Sequence, residues 1–224
     1  MSAQTAGSTP DAFQRQPADR QRRMCGAAAL AMAMGMQGHR VPLQTVWDAV
    51  AGDDPYGSLA ARSFRLAAFA RQRGLEAAVL QAEPSRSWQA LRRCAELGLA
   101  VVLNHRIAGD REEGHFTTMV QRARDHLVVH DPGWGPHRRI ARRELETLWR
   151  PRVGGEISGH VLIVVGGGRP GGRSARQAAD GVCYRCGRVF CCTPAAIFRP
   201  ADWLTEPLWR RFFCLHCDAS FRPA

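Results

Sequence analysis

Hydrophobic and polar residues follow two different periods along the 224-residue chain. In the first hundred residues, apolar positions recur at helical spacing. MCGAAALAMAMG predicts a helix from about Cys25 to Gln37, ending near Gly38. SLAARSFRLAAFARQRG predicts a second helix over 58–74, with Ser58 as N-cap and Gly74 as terminator. Leu59, Phe64, Leu66, Phe69 and Ala70 form its apolar face. LEAAVLQA (75–82) reads as a short strand, and SRSWQALRRCAELG (85–98) as a third helix with Trp88, Leu91, Cys94 and Ala95 facing inward. The period then drops to two. Segments 99–105, 115–123, 125–132 and 160–166 are strand-like, and RRELETLW predicts a helix before the last of them. Helices first and antiparallel strands later predict an α+β domain spanning about 21–166.

Composition sets the remaining boundaries. Residues 1–20 are polar and predicted to be disordered, and 167–181 form a glycine-rich linker. Residues 182–224 make a small cysteine-rich module. No apolar run reaches the length of about 18 residues that a membrane helix needs, so no membrane partner is expected. The first twenty residues also lack the apolar centre of a secretory signal. The expected location is therefore cytoplasmic, with export by a route needing no such signal left open. Net charge is +11, and all 31 basic residues are arginine. They are scattered rather than blocked, which fits a compositional bias and implies only a general attraction to acidic partners, nucleic acid included.

Cysteine usage is uneven. Cys25 and Cys94 stand alone, while six cysteines fall between positions 183 and 217. Two C-x2-C knuckles, Cys183/Cys186 and Cys214/Cys217, are separated by 27 residues. Four thiolates suit tetrahedral zinc, and with all positions filled the ion is structural. Phe190, Trp203, Trp209, Phe212 and Phe213 are expected to pack around it. Cys191, Cys192 and His216 are competing donors, and a redox dithiol is the lesser reading. The module's surplus of +3 does not by itself argue for nucleic acid.

Cys25 opens its helix instead of sitting within it. Unpaired amides and the helix dipole favour a thiolate there, Arg22 and Arg23 would add positive charge, and Gly26 permits close backbone approach. A nucleophile needs a base and an orienting group. His115 opens one strand, and Asp131, sixteen residues on, closes the next. Adjacent antiparallel strands would bring the carboxylate within reach of the imidazole. His105, His126, His130 and His160 compete; His130 alternates with Asp131 and should face the other way.

Taken in order, MCGAAALAMAMG, GHFTTMVQ, HLVVHDPGWG, ELETLW and GHVLIVV resemble the C39 and C39-like branch of the papain-like cysteine peptidases, over roughly 14–166. The resemblance implies a papain-like fold with an N-terminal helical half and a C-terminal antiparallel sheet. It also implies Cys25 as nucleophile, His115 as general base and acid, and Asp131 as orienting residue. The family's oxyanion-hole glutamine falls six residues before the cysteine, where this chain has Asp19. Gln16, with an altered loop, is the preferred substitute, and Gln21 the other candidate. The expected function is a stand-alone peptidase acting on a protein or peptide, with a possible preference for cleavage after Gly-Gly. VGGE (153–156) and PGGR (170–173) are candidate self-cleavage points. The zinc ribbon would dock a substrate or protein partner. Two alternatives stay open: an acyltransferase or amidase using the same thioester, and an inert adaptor binding protein or nucleic acid through the ribbon.

Overall fold

The computed structural model describes residues 13–18, 24–53, 59–107, 114–150, 159–167, 181–190 and 207–222. Ser58, Asp19, Gln21, Arg22, Arg23, Cys191, Cys192, Trp203, the linker residues 168–180 and both Gly-Gly pairs lie outside them.

The opening helix, α1 (Cys25–Met36), is buried from Cys25 to Gly35. A helix apolar on every side belongs inside a core, and its alanines and glycines let neighbours approach closely. α2 (Leu43–Val50) and the hairpin β1 (Ala51–Asp53) and β2 (Leu59–Ala61) follow, none of them predicted. α3 runs over Ser63–Gln72, not from 58: residues 59–61 are strand, Arg62 is the N-cap, and Leu59 is exposed. β3 (Glu76–Ala82) is as expected. After a single 3-10 turn comes α4 (Ser87–Glu96), which buries Trp88, Leu91 and Cys94 but leaves Ala95 exposed.

β4 (Ala100–Arg106), β5 (Gly114–Arg122), β6 (His126–Asp131), β7 (Gly135–Ala141), α5 (Arg142–Leu148) and β8 (Val161–Gly166) complete the domain. β7 was not predicted, because GPHRRIA buries only Gly135 and Ile140 and shows no sustained alternation. In the cysteine-rich segment, β9 (Gly181–Val182) pairs with β10 (Val189–Phe190), and β11 (Trp209–Phe213) with β12 (Ser220–Phe221).

Among the described residues the main sheet has eight strands, ordered β12-β11-β3-β8-β4-β5-β6-β7, all antiparallel. Strands covered on both faces read as continuous apolar runs, as VLIVV does in β8. Ala100 and Val102 of β4 join the core under α1–α3, whereas Val101 and Leu103 join the one under α4 and α5. The helical half and the sheet therefore interleave: β3 lies within the sheet, and helices cover both faces. The cysteine-rich segment enters the same sheet, since β11 pairs along β3 and the Glu83 amide donates to the Leu208 carbonyl at 2.9 Å.

Candidate active site and four-cysteine cluster

Three contacts fix the N-terminus of α1. The first i to i−4 bond runs from the Ala28 amide to the Met24 carbonyl, so the Cys25, Gly26 and Ala27 amides have no acceptor within the helix. A Cβ on Gly26 would lie 3.1 Å from both Ala61 Cβ and Phe116 Cδ2, and 3.2 Å from Leu66 Cδ1. Glycine therefore follows the cysteine because the β2–α3 wall and β5 leave no room for a side chain. One turn along, the Thr118 hydroxyl of β5 donates to the Ala29 carbonyl at 2.7 Å, a buried bond that ties α1 to the strand carrying His115.

Cys25, His115 and Asp131 come together. All three are buried, and His115 Nε2 lies 2.8 Å from Asp131 Oδ1. The Cys25 thiol is close enough to act on His115, and with Nε2 engaged the nitrogen left to face sulfur is Nδ1. Burial disfavours the imidazolium, but the bond to Asp131 and the neighbouring Cys25 outweigh it and raise His115 to about 9. Burial likewise works to raise Asp131, yet His115, Arg138 and the Gly133 amide hold its carboxyl below the ordinary value. The turn Pro132–Trp134 supplies two backbone donors to Oδ1, Gly133 N at 3.0 Å and Trp134 N at 3.2 Å. The Trp134 ring stands edge-on to His115 at 5.3 Å and remains 58% exposed.

Residues 13–18, expected to be disordered, instead strap across that turn. The Gln16 amide donates to the Pro132 carbonyl at 3.3 Å, and Phe13 packs on His130. The Gln16 side chain is buried, and its Oε1 has no hydrogen-bond partner among the described residues. A methyl group at Gly133 would lie 3.4 Å from Gln16 Nε2, 3.6 Å from Asp131 Oδ1 and 3.8 Å from His115 Cε1. Gln16 thus borders the His115–Asp131 pair, nine residues before Cys25; Gln21 lies outside the described residues.

The four knuckle cysteines also converge. Their Sγ atoms all lie within 4.8 Å of one another, with Cys183–Cys217 at 3.5 Å and Cys186–Cys214 at 3.9 Å. Four sulfurs around a tetrahedral zinc at about 2.3 Å would stand about 3.8 Å apart, so the donor set fits. The two knuckles repeat one backbone design. The Cys183 amide donates to Arg188 O and the Gly187 amide to Cys183 O; the Cys214 amide donates to Ala219 O and the Asp218 amide to Cys214 O. The residue after each second cysteine has positive φ, Gly187 at 67° and Asp218 at 64°. Trp209 and Phe212 pack with Cys183 and Cys214 as expected, whereas Phe213 packs against the α1 core.

The model of the peptidase C39 family matches residues 17–153, more than half of the chain. The chain belongs to this family. Two solved structures share the fold: a C39-like peptidase from Bacillus anthracis (15% identity, 70% of this chain and 95% of that one, TM-score 0.54) and the peptidase domain of Streptococcus ComA, a bifunctional ABC transporter involved in quorum sensing (15% identity, 70% and 98%, TM-score 0.52). No curated protein matches the sequence. The four-cysteine module begins beyond the family match. No described helix is long and apolar enough to cross a membrane.

Within this C39 cysteine peptidase, sequence reasoning overlooked Arg138 and Trp134 and treated His105 as a rival. Arg138 Nη1 donates to Asp131 Oδ2 at 2.8 Å, and its guanidinium lies 5.0 Å from the Trp134 ring centroid. His105 pairs with His115 across β4 and β5, ring to ring at 5.6 Å. Burial, then the neighbouring His115 charge, pushes His105 down to about 4. It is neutral at pH 7, with Nδ1–H donating to the Arg106 carbonyl at 2.8 Å and Nε2 accepting from the Thr117 hydroxyl at 3.2 Å. The other rivals lie elsewhere: His130 against Phe13 and His137, His160 against Trp149, and His126 beside Asp125. HDPGWG was a visible signal for a shielded turn after Asp131. Nothing in HRR distinguished Arg138 from thirty other arginines.

Proposed function

We propose that the chain cleaves a peptide bond through a Cys25–His115–Asp131 triad. The observation carrying this is the buried His115, whose Nε2 lies 2.8 Å from Asp131 and whose other neighbour is the buried Cys25 at the N-terminus of α1. The Cys25 sulfur attacks the scissile carbonyl carbon as a thiolate. The oxyanion takes hydrogen bonds from the Cys25 amide and the Gln16 side chain. His115 then gives its proton to the leaving amine as the C–N bond breaks, leaving a thioester on Cys25. Neutral His115 next takes a proton from water, whose oxygen attacks the thioester; the thiolate leaves and the acid product departs. Asp131 holds the imidazole in orientation and steadies its charged form. Peptides with small residues such as Gly-Gly before the cleaved bond are the first substrates to try, and the amine-accepting acyl-transfer alternative is checked with the same thioester.

The four cysteines hold one structural zinc, their donor set leaving no open position for water. The pairing of β11 with β3 favours a brace on the sheet edge over a freely swinging docking arm. The test is the pH-dependence of Cys25 alkylation by iodoacetamide on zinc-loaded protein, wild type against His115→Ala. Enhanced reactivity at pH 6 that is lost in the variant is expected. An ordinary thiol indifferent to His115 would overturn the peptidase reading and leave the module as the binding element of an inert adaptor.

A further inference from the structure

We infer that Arg138 is a positioning residue for catalysis: it holds the outer oxygen of Asp131 and tempers that carboxylate's charge, so that His115 can release its proton. The inference rests on the triad reading above.

Asp131 is fully buried, and its two oxygens are served differently. Oδ1 meets His115 Nε2 and the Gly133 and Trp134 amides. For Oδ2, Arg138 Nη1 at 2.8 Å is the partner. Register explains the reach. Arg138 pairs with Val129 across β6 and β7, two residues from Asp131 and on the same face, and the irregularity between Val129 and Asp131 draws the strand ends together. Trp134 is held between Arg138 and His115, 5.0 Å from the guanidinium and 5.3 Å from the imidazole centroid. The outer side of Arg138 meets Glu144 of α5, at 3.3 Å from Nη2.

Among the described residues, the charged and titratable groups facing the pair are Cys25 from α1, His105 from β4, Arg138 from β7 and, behind Arg138, Glu144 from α5, with Arg15 of the strap on the far side of the turn, 3.5 Å from the Gly133 carbonyl. His105 is neutral, and of the two arginines at this turn it is Arg138 that bonds Asp131 itself, where its charge opposes proton retention on His115. A general acid and base works best when its pKa lies near the working pH. His115, already raised to about 9 by Asp131 and Cys25, is on the high side. Without the guanidinium, the field of a buried carboxylate would act on it undiminished.

The test uses full-length zinc-loaded protein and two readouts: the alkaline limb of peptide cleavage, and the upper step in the pH-dependence of Cys25 alkylation, which needs no substrate. Arg138→Gln should move both upward by about one unit and slow turnover near neutral pH. Arg138→Lys, which keeps the charge, should leave them near the wild-type position. Loss of a merely structural support would loosen the His115–Asp131 bond and move the limb down, as Asp131→Asn should. A limb that stays or falls in Arg138→Gln, or that rises equally in Arg138→Lys, would overturn the inference. Should Arg138→Gln not fold, Glu144→Gln frees Arg138 for Asp131 and should lower the upper step by a few tenths at low salt; no change or a rise would count against it. If the wild type shows no ionised Cys25–His115 pair, it is the triad reading that fails.

Discussion

The proposed catalytic corner and the four-cysteine cluster both gather reactive side chains, but they do so by opposite means. Each knuckle is local, two cysteines on one turn with the same amide bonds and the same left-handed residue after the second cysteine. Only one long-range meeting is needed, and a metal ion would supply its energy. The catalytic corner has no such staple. Its groups come from the strap at 13–18, α1, β5, β6 and β7, and each position depends on packing: Gly26 against Ala61, Thr118 on Ala29, Arg138 on Asp131. A metal knuckle is thus robust to its surroundings, whereas the triad is only as good as the sheet register.

The two regions also touch. Asp218, just after a knuckle cysteine, accepts a bond from Arg62 Nη2 at 2.9 Å, and Arg62 caps α3 beside the Ala61 that packs on Gly26. Leu215, inside the second knuckle, packs on the core that contains Cys25.

Breaking the catalytic corner alone should have the largest effect. Cys25→Ala should lower peptide cleavage by at least about 10⁴-fold while leaving one zinc per chain, measured by elemental analysis alongside turnover. Next comes the proposed oxyanion donor: Gln16→Ala is expected to cost about 10²–10³ in kcat with little change in KM. A drop confined to KM would remove Gln16 from that role.

The pH profile sharpens the contrast. His115 is raised from 6.5 to about 9, so the stability its charge contributes is fully present below 6.5 and is lost as pH rises through about 9. Activity needing the imidazolium should fall over that same upper range. Asp131→Asn removes the main support and should bring the alkaline limb down toward 6.5, read from kcat/KM against pH.

Stripping the proposed zinc tests the other region. Chelation should free four titratable thiols, lower the melting temperature and slow Cys25 alkylation as β11 loosens from β3; full alkylation at unchanged rate would show that the sheet holds without the brace. The smallest effect is expected for Asp218→Ala. Its partly exposed pair with Arg62 is worth under about 1 kcal/mol, and a chemical-denaturation curve would resolve it.

Much of this was legible before the fold was known. Cys25 at a helix front, the C-x2-C pairs and the strands around His115 and Asp131 carry their signals within a few residues, because helix ends, knuckles and period-two alternation are local matters. Less legible was what depends on distant neighbours. The helix predicted from Ser58 begins at Ser63 because residues 59–61 pair with β1, a partner that no propensity announces. β7 was overlooked because an edge strand bearing arginines buries too little to alternate.

By itself, then, the sequence determined the kind of chemistry: a thiol at a helix N-terminus, an imidazole and a carboxylate on successive strands, and four thiolates on two turns. Only the tertiary structure decided which groups attend them. Residue type and spacing set local geometry, but placing Arg138, one of 31 arginines, on Asp131, Gln16 beside the His115–Asp131 pair, and β11 along β3 required the register of a sheet whose pairings span most of the chain.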